Sequence, residues 1–126
     1  MRILVVEDDA EMRSLLVSLL RADGYEVVEA GTGTEGVVSI HDSSRLGDST
    51  QNFDLIVSDV RLPGWTGLEL LDMVRRRRLK TPVLLITGFG AEEVHVEAAR
   101  LGVAAIMDKP FRLEDFRATV AALVRP

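Results

Sequence analysis

The sequence lacks cysteine, long apolar runs, internal repeats and low-complexity segments. Without cysteine there can be neither disulfide bonds nor thiol catalysis. No apolar run approaches the roughly 20 residues that a membrane-spanning helix needs. Met1-Arg2 leads straight into a strand-like run, and no secretory signal is visible. We therefore predict a cytoplasmic protein that does not contact a membrane.

Positive charge is scarce relative to negative charge. Twenty Asp and Glu residues outnumber 15 Lys and Arg residues, which gives a net charge of −5 at pH 7. This balance argues against direct nucleic-acid binding by the domain. The run Arg75-Arg76-Arg77-Arg78 resembles a nucleic-acid patch, but it ends a predicted helix, where the helix dipole favours cations. We interpret it as a solvated helix end.

Short apolar runs alternate with amphipathic segments along the whole chain. Residues 3–6, 25–30, 53–59, 83–86 and 104–107 are typical of strands, and a pattern of helical periodicity follows each of them. The alternation predicts an α/β fold with a doubly wound parallel sheet, helices on both faces and right-handed crossovers. For a chain of 126 residues we predict a single domain over residues 1–126, with no further domain after it.

Two local features qualify this outline. Asp8 or Asp9 can cap the first helix, because a carboxylate there accepts hydrogen bonds from free backbone N–H groups. The second helix is predicted from Thr34 to Ile40, and the polar residues 41–52 are interpreted as a loop.

Four of the five predicted strands end in polar side chains. These are Glu7, Asp8 and Asp9 after the first strand, Asp59 after the third, Thr87 after the fourth and Lys109 after the fifth. In sheets of this kind the ligand site lies outside the carboxyl ends of the strands, where the strand order reverses. The sequence therefore predicts one site that these side chains share.

Asp8, Asp9 and Asp59 would bring three carboxylates to one rim. Like charges that are so close repel one another unless a cation lies between them, and an oxygen-only set of ligands selects Mg²⁺. Lys109 adds a positive charge and Thr87 a hydroxyl donor, which could stabilise a phosphoryl group carried by a carboxylate. The residues thus favour an aspartyl-phosphate site with Mg²⁺ as its cofactor.

Five motifs in register resemble the receiver domain of two-component response regulators. They are Glu7-Asp8-Asp9, Asp59 followed by Leu62-Pro63-Gly64, Gly67, Thr87-Gly88 and Lys109-Pro110-Phe111. The resemblance covers essentially the whole chain. It implies a flavodoxin-like (βα)5 fold with the strand order 2-1-3-4-5, and a signalling phosphoacceptor rather than an enzyme.

The resemblance also implies roles for single residues. Asp59 would accept a phosphoryl group from a sensor histidine kinase or a histidine phosphotransfer protein. Asp8, Asp9 and Asp59 would hold Mg²⁺ with help from the backbone carbonyl of Arg61.

By the same resemblance, Lys109 would contact the phosphoryl group, and its peptide bond to Pro110 would be cis. Thr87 would move toward the phosphoryl group and carry the signal to the face formed by the fourth helix, fifth strand and fifth helix. An output domain or a downstream protein would bind that face, and a homodimer is a further possibility.

The chain departs from the family at Ile106, where the family usually has Tyr or Phe. In the family that aromatic ring changes rotamer when the residue that corresponds to Thr87 moves. A β-branched side chain is stiff at χ1 and cannot make the same swing. We therefore predict that activation involves residues 87–90, where two glycines leave the backbone free to change, together with the start of the fourth helix. Residues 41–52 are also longer than usual in the family.

Two other functions compete with this interpretation. The first is a phosphohydrolase of the haloacid dehalogenase type, but such enzymes place a second Asp two residues after the nucleophile, where this chain has Arg61. The second is a flavodoxin-like cofactor module, in which Glu7-Asp8-Asp9 would repel the cofactor phosphate unless a metal ion were present.

Overall fold

The computed structural model describes residues 1–45, 53–88 and 92–124. Within these residues five strands alternate with five helices. They are β1 (Arg2–Val6), α1 (Ala10–Ala22), β2 (Glu26–Ala30), α2 (Gly33–Arg45), β3 (Leu55–Asp59), α3 (Gly67–Arg76), β4 (Val83–Thr87), α4 (Glu92–Arg100), β5 (Ala105–Asp108) and α5 (Leu113–Leu123).

The strands form one parallel sheet in the order β2-β1-β3-β4-β5, which confirms the predicted fold and strand order. The strand order reverses at β1, which pairs with β2 on one side and with β3 on the other. Val6 lies beside Ser58 in this register. The residues that follow β1 therefore emerge next to Asp59, at the reversal point where such sheets bind ligands.

Side chains of the sheet fill two separate cores, one on each face. Leu4, Ile56 and Leu85 contribute to one core, and their neighbours Val57 and Leu84 contribute to the other. Every residue of β3 and β4 is buried. Burial on both faces explains why these strands are continuous apolar runs in the sequence rather than alternating ones.

The arginine run at the end of α3 is more than a solvated helix end. The half-buried Arg75 donates hydrogen bonds to the carbonyl oxygens of Leu79, Thr81 and Gly102, at 3.0–3.1 Å. Arg75 thereby joins the end of α3 to the loops that precede β4 and β5. The next three arginines are exposed, as the sequence predicted.

The predicted end of the second helix is wrong. The helix α2 continues past Ile40 to Arg45, and residues 46–52 of the predicted loop lie outside the described residues. The stretch His41-Asp42-Ser43-Ser44-Arg45 contains neither Gly nor Pro, so nothing in it stops the helix. His41 Nδ1 also lies 3.0 Å from Arg77 Nη1, which anchors the extra turn beside α3.

Candidate functional site

The carboxyl ends of β1, β3, β4 and β5 surround a cleft of about 610 Å³, which we call the acidic pocket. Its lining consists of Glu7, Asp8, Asp9, Asp59, Val60, Arg61, Thr87, Gly88, Val94 and Lys109. All the side chains that the sequence assigned to one site are therefore brought together. The parallel sheet causes this convergence, since every strand ends at the same edge.

Asp59, the last residue of β3, is 7% exposed, and both of its carboxylate oxygens are hydrogen-bonded. Lys109 Nζ donates to Oδ2 at 2.6 Å, and the backbone N–H of Arg61 donates to Oδ1 at 3.0 Å. Burial opposes the charge of the Lys109 ammonium, but the hydrogen bond and negative charge of Asp59, together with Glu7, raise the pKa of Lys109. The pocket thus holds a carboxylate beside a fixed cation.

Glu7 lies deeper in the pocket, at 3% exposure. Neither of its carboxylate oxygens has a hydrogen-bond partner among the described residues, and the Lys109 ammonium lies 3.5 Å from Oε1. Burial, followed by the neighbouring Asp59, raises the pKa of Glu7 to about 8. A buried carboxyl group without a hydrogen bond is costly, so it indicates a ligand that the protein itself does not supply.

Carboxylate oxygens of Glu7, Asp8 and Asp59 lie within 4.8 Å of one another. Three oxygen donors at this separation, two of them on buried residues, suit a small hard cation. The orphaned Glu7 oxygens support the same conclusion. The residues present therefore fit the predicted Mg²⁺. Asp8 and Asp59 of the predicted ligands belong to this cluster, and Glu7 is its third member.

Asp9 takes one of the two roles that the sequence suggested for it, that of a helix cap. Its Oδ1 accepts hydrogen bonds from the backbone N–H groups of Glu11 and Met12, at 2.9 and 3.1 Å, and so caps α1. The carboxylate cluster contains Glu7 in its place. The helical pattern that begins directly after Asp9 was the signal that this carboxylate is engaged as a cap.

Thr87 and Ile106 lie where the sequence placed them. Thr87 ends β4, is 3% exposed and lines the acidic pocket. Its carbonyl oxygen accepts a hydrogen bond from the backbone N–H of Lys109 at 2.7 Å, which joins the ends of β4 and β5. Ile106 is half-buried in β5 and packs against the core beneath α4. The peptide bond between Lys109 and Pro110 is cis, as predicted.

The raised pKa of Glu7 predicts how the metal-free protein responds to pH. The pKa of Glu7 is about 8 in the folded protein, against 4.5 for an unperturbed glutamate, so the folded protein keeps this proton up to about pH 8. Its contribution to stability is therefore complete below pH 4.5 and is lost as the pH rises toward 8. The free energy of unfolding in urea with a chelator should fall across this window, by at most about 1.4 kcal/mol per pH unit.

Glu7→Gln supplies the control, because glutamine keeps the shape of the side chain and cannot titrate. The slope between pH 5 and 8 should be markedly smaller in this variant. Parallel curves for the parent and Glu7→Gln would show that Glu7 titrates in its ordinary range.

A parallel α/β sheet with carboxylates, a lysine and a threonine hydroxyl at its carboxyl edge is the arrangement of a phosphoacceptor signalling domain. The chain matches the family model of the response regulator receiver domain over residues 3–121, and it belongs to that family. It is thus a receiver domain of the response regulators that act in signalling. The phosphohydrolase alternative finds no support in this match.

Relatives and solved structures agree with this assignment. The chain is 35% identical to the transcriptional activator protein PfeR of Pseudomonas aeruginosa, over 98% of the chain and 38% of PfeR. The receiver domain of the Francisella response regulator 1452 superposes with a TM-score of 0.85 at 25% identity, covering 98% of this chain and 95% of that one. The response regulator TrrA of Thermotoga maritima, solved with Mg²⁺ and BeF, gives a TM-score of 0.81 at 26% identity and 97% coverage of both chains.

The chain spans 38–50% of the length of the curated relatives that it matches. Among the described residues, no helix has the length and apolar character required to cross a membrane.

Proposed function

We propose that Asp59 is the residue that accepts the phosphoryl group, from a sensor histidine kinase or a histidine phosphotransfer protein. The observation that carries this proposal is the environment of the Asp59 carboxylate. One oxygen accepts from Lys109 Nζ at 2.6 Å and the other from the Arg61 backbone N–H at 3.0 Å. A nucleophile held in this way has a fixed direction of attack, and a cation lies ready for the charge that arrives.

The transfer follows from these positions. An Asp59 oxygen forms a bond to phosphorus while the bond from phosphorus to the donor imidazole nitrogen breaks, and the imidazole leaves with that electron pair. Lys109 can then contact an oxygen of the new phosphoryl group. The Thr87 hydroxyl, at the wall of the same pocket, is a second donor to that group.

Glu7, Asp8 and Asp59 are proposed to hold Mg²⁺, together with the backbone carbonyl of Arg61, which also lines the pocket. When bound, the ion neutralises the carboxylates and the phosphoryl oxygens that approach them. Asp9, which the sequence had placed among the ligands, contributes by fixing the start of α1.

The domain is proposed not to be an enzyme for a separate substrate, since its own side chain is the acceptor. Arg61 stands two residues after Asp59, and a guanidinium cannot act as a general acid–base catalyst at neutral pH. The domain is expected to assist only its own phosphorylation and dephosphorylation. Incubation with Mg²⁺ and acetyl phosphate tests whether the domain phosphorylates itself, and intact mass spectrometry should show one added phosphoryl group per chain.

An apolar groove of about 440 Å³ adjoins the acidic pocket, and we propose that the protein donor docks there. The groove is formed by Met12 of α1 and by Lys109, Pro110, Phe111 and Leu113 around the start of α5. Lys109 lines both the groove and the pocket, so a protein seated on the groove can present a phosphohistidine to Asp59.

Leu113→Glu should therefore separate the two kinds of donor. Leu113 is 37% exposed at the first position of α5, where a glutamate is compatible with the helix dipole. Transfer from a phosphorylated kinase should slow by about tenfold or more, the loss expected when an anchor contact is removed, while acetyl phosphate should react as before. Val96→Glu is the matched control, since Val96 is 67% exposed on α4. Equal kinase rates in both variants would show that the donor docks elsewhere.

The face formed by α4, β5 and α5, which we call the output face, is proposed to bind an output domain, a downstream protein or a second copy of the chain. The exposed Val96 gives this face an apolar contact point. We propose a cytoplasmic protein whose receiver domain binds neither nucleic acid nor membrane directly.

A further inference from the structure

Arg13 of α1 makes contacts that neither helix formation nor surface charge explains. Its side chain is 23% exposed and reaches back over the end of β1. Nη1 donates to the carbonyl oxygen of Glu7 at 2.7 Å, and Nε donates to Glu29 Oε1 of β2 at 3.3 Å. The guanidinium lies against Gly31, where a Cβ would stand 3.1 Å from Nη1.

Arg13 also holds the same turn through its backbone. Its N–H donates to the carbonyl oxygen of Asp9 at 2.8 Å, the first hydrogen bond of α1. One residue therefore fixes residue 7 with its side chain and residue 9 with its backbone. The carboxylates of Glu7 and Asp8 project from the turn between these two anchor points and lie near Asp59.

The carbonyl of Glu7 needs such a partner because β2 ends at Ala30. The N–H of Glu7 donates to the Ala30 carbonyl at 3.0 Å, which is one bond beyond the strand itself. The ladder stops at this point, and the Glu7 carbonyl accepts from Arg13 instead. A guanidinium can bond this carbonyl and Glu29 at once, because its donors form a rigid fork.

We propose that Arg13 is a positioning residue for the metal site: its guanidinium sets the orientation of residues 7–9, so that Glu7 and Asp8 face Asp59 before Mg²⁺ arrives. This inference rests on the proposed function, and it assigns to Arg13 a role at the metal site that acts through the backbone carbonyl of Glu7. Residues that orient metal ligands typically change metal affinity by about 10–100-fold when they are replaced.

Arg21 provides a matched control on the same helix. It also lies near Glu29, with Nη2 3.9 Å from Oε2, and it also donates to a backbone carbonyl, that of Val27 at 3.1 Å. Val27 belongs to β2 and lies away from the acidic pocket. Arg13→Gln and Arg21→Gln thus remove the same charge and the same kind of contact, and only the first loosens the turn.

Mg²⁺ titrations followed by backbone NMR test the proposal on the whole chain. Arg13→Gln should raise the Mg²⁺ dissociation constant by about tenfold or more, and Arg21→Gln by less than about twofold. Arg13→Lys should fall between them, since an ammonium can reach the Glu7 carbonyl without also holding Glu29. In metal-free protein, the amide shifts of residues 7–9 should change in Arg13→Gln and stay in place in Arg21→Gln.

If Arg13→Gln does not fold, Gly31→Ala takes its place in the test. This substitution keeps the charge of Arg13 and displaces its guanidinium by a small distance, so it should also weaken Mg²⁺ binding. Equal Mg²⁺ affinity in the Arg13 and Arg21 variants, with the parent binding the ion, would overturn the positioning role alone. A parent protein that binds no Mg²⁺ would overturn the proposed metal site together with it.

Discussion

Asp59→Asn is expected to abolish incorporation of the phosphoryl group from both acetyl phosphate and a kinase. An amide is a far weaker nucleophile than a carboxylate, and among the described residues that line the acidic pocket no other carboxylate has the same contacts. Lys109 Nζ lies 2.6 Å from Asp59 Oδ2 and 3.5 Å from Glu7 Oε1. The negative charge of an incoming phosphoryl group is therefore neutralised beside Asp59. Intact mass spectrometry of the parent and the variant, under identical conditions, gives the result directly.

Asp72→Asn is a suitable control, because Asp72 is a carboxylate of α3 that pairs with Arg76 outside the pocket. It should be phosphorylated as the parent is. Urea unfolding of Asp59→Asn should show a cooperative transition, which separates loss of the acceptor from loss of the fold. A phosphoryl group that persists in Asp59→Asn would identify a different acceptor and remove the basis of the proposed chemistry.

The position of Asp59 could be predicted because strand ends are easy to recognise in this sequence. The apolar run before Asp59 is buried on both faces, and Pro63 and Gly64 follow it, so the end of β3 has clear limits. A parallel sheet then places all strand ends at one edge, whatever the detailed packing. The fold class and the convergence of the site residues follow from these two facts.

The roles of Glu7 and Asp9 could not be predicted in the same way. Both are acidic, they are two residues apart, and a strand-end pattern does not say which of them joins the carboxylate cluster. The choice depends on where α1 begins, since the residue before the helix turns its carboxylate to the free N–H groups. A shift of one residue in that boundary would make Asp8 the cap instead of Asp9, and boundaries are the least certain part of a sequence-based prediction.

Thr87 connects the acidic pocket with the output face through the sheet itself. Its carbonyl accepts from the Lys109 N–H, and in the register of β4 and β5 it lies beside Asp108. Asp108 Oδ1 in turn lies 2.7 Å from His95 Nε2 of α4. A movement of Thr87 toward a phosphoryl group would therefore act on β5 and α4 together.

Ile106 constrains how that movement can be transmitted. It lies beside Leu85 in the register of β4 and β5 and belongs to the core beneath α4, so it acts as a packing residue. Gly88 follows Thr87 directly and is exposed, which leaves room for the backbone to change. Residues 89 and 90, which the sequence also implicates in activation, lie outside the described residues.

Thr87→Ala is therefore expected to uncouple phosphorylation from the change on the output face. Beryllofluoride with Mg²⁺, a mimic of the aspartyl phosphate, should still bind Asp59, because Lys109 and the carboxylates remain. The backbone NMR shifts that it causes in α4 should largely disappear, since without the hydroxyl the ligand no longer distinguishes the two states of this face. A coupling of this kind is typically about 1–3 kcal/mol.

Ile106→Ala is the comparison that separates coupling from packing. It should lower the free energy of unfolding by about 2 kcal/mol, as a large-to-small change at a half-buried core position does, and leave the beryllofluoride-dependent shifts of α4 in place. Thr87→Ala should show the reverse pattern, with a small loss of stability and a large loss of shifts. If the α4 shifts survive Thr87→Ala, then the Thr87 hydroxyl does not carry the signal. If Ile106→Ala alone removes them, then the signal reaches the output face through Ile106.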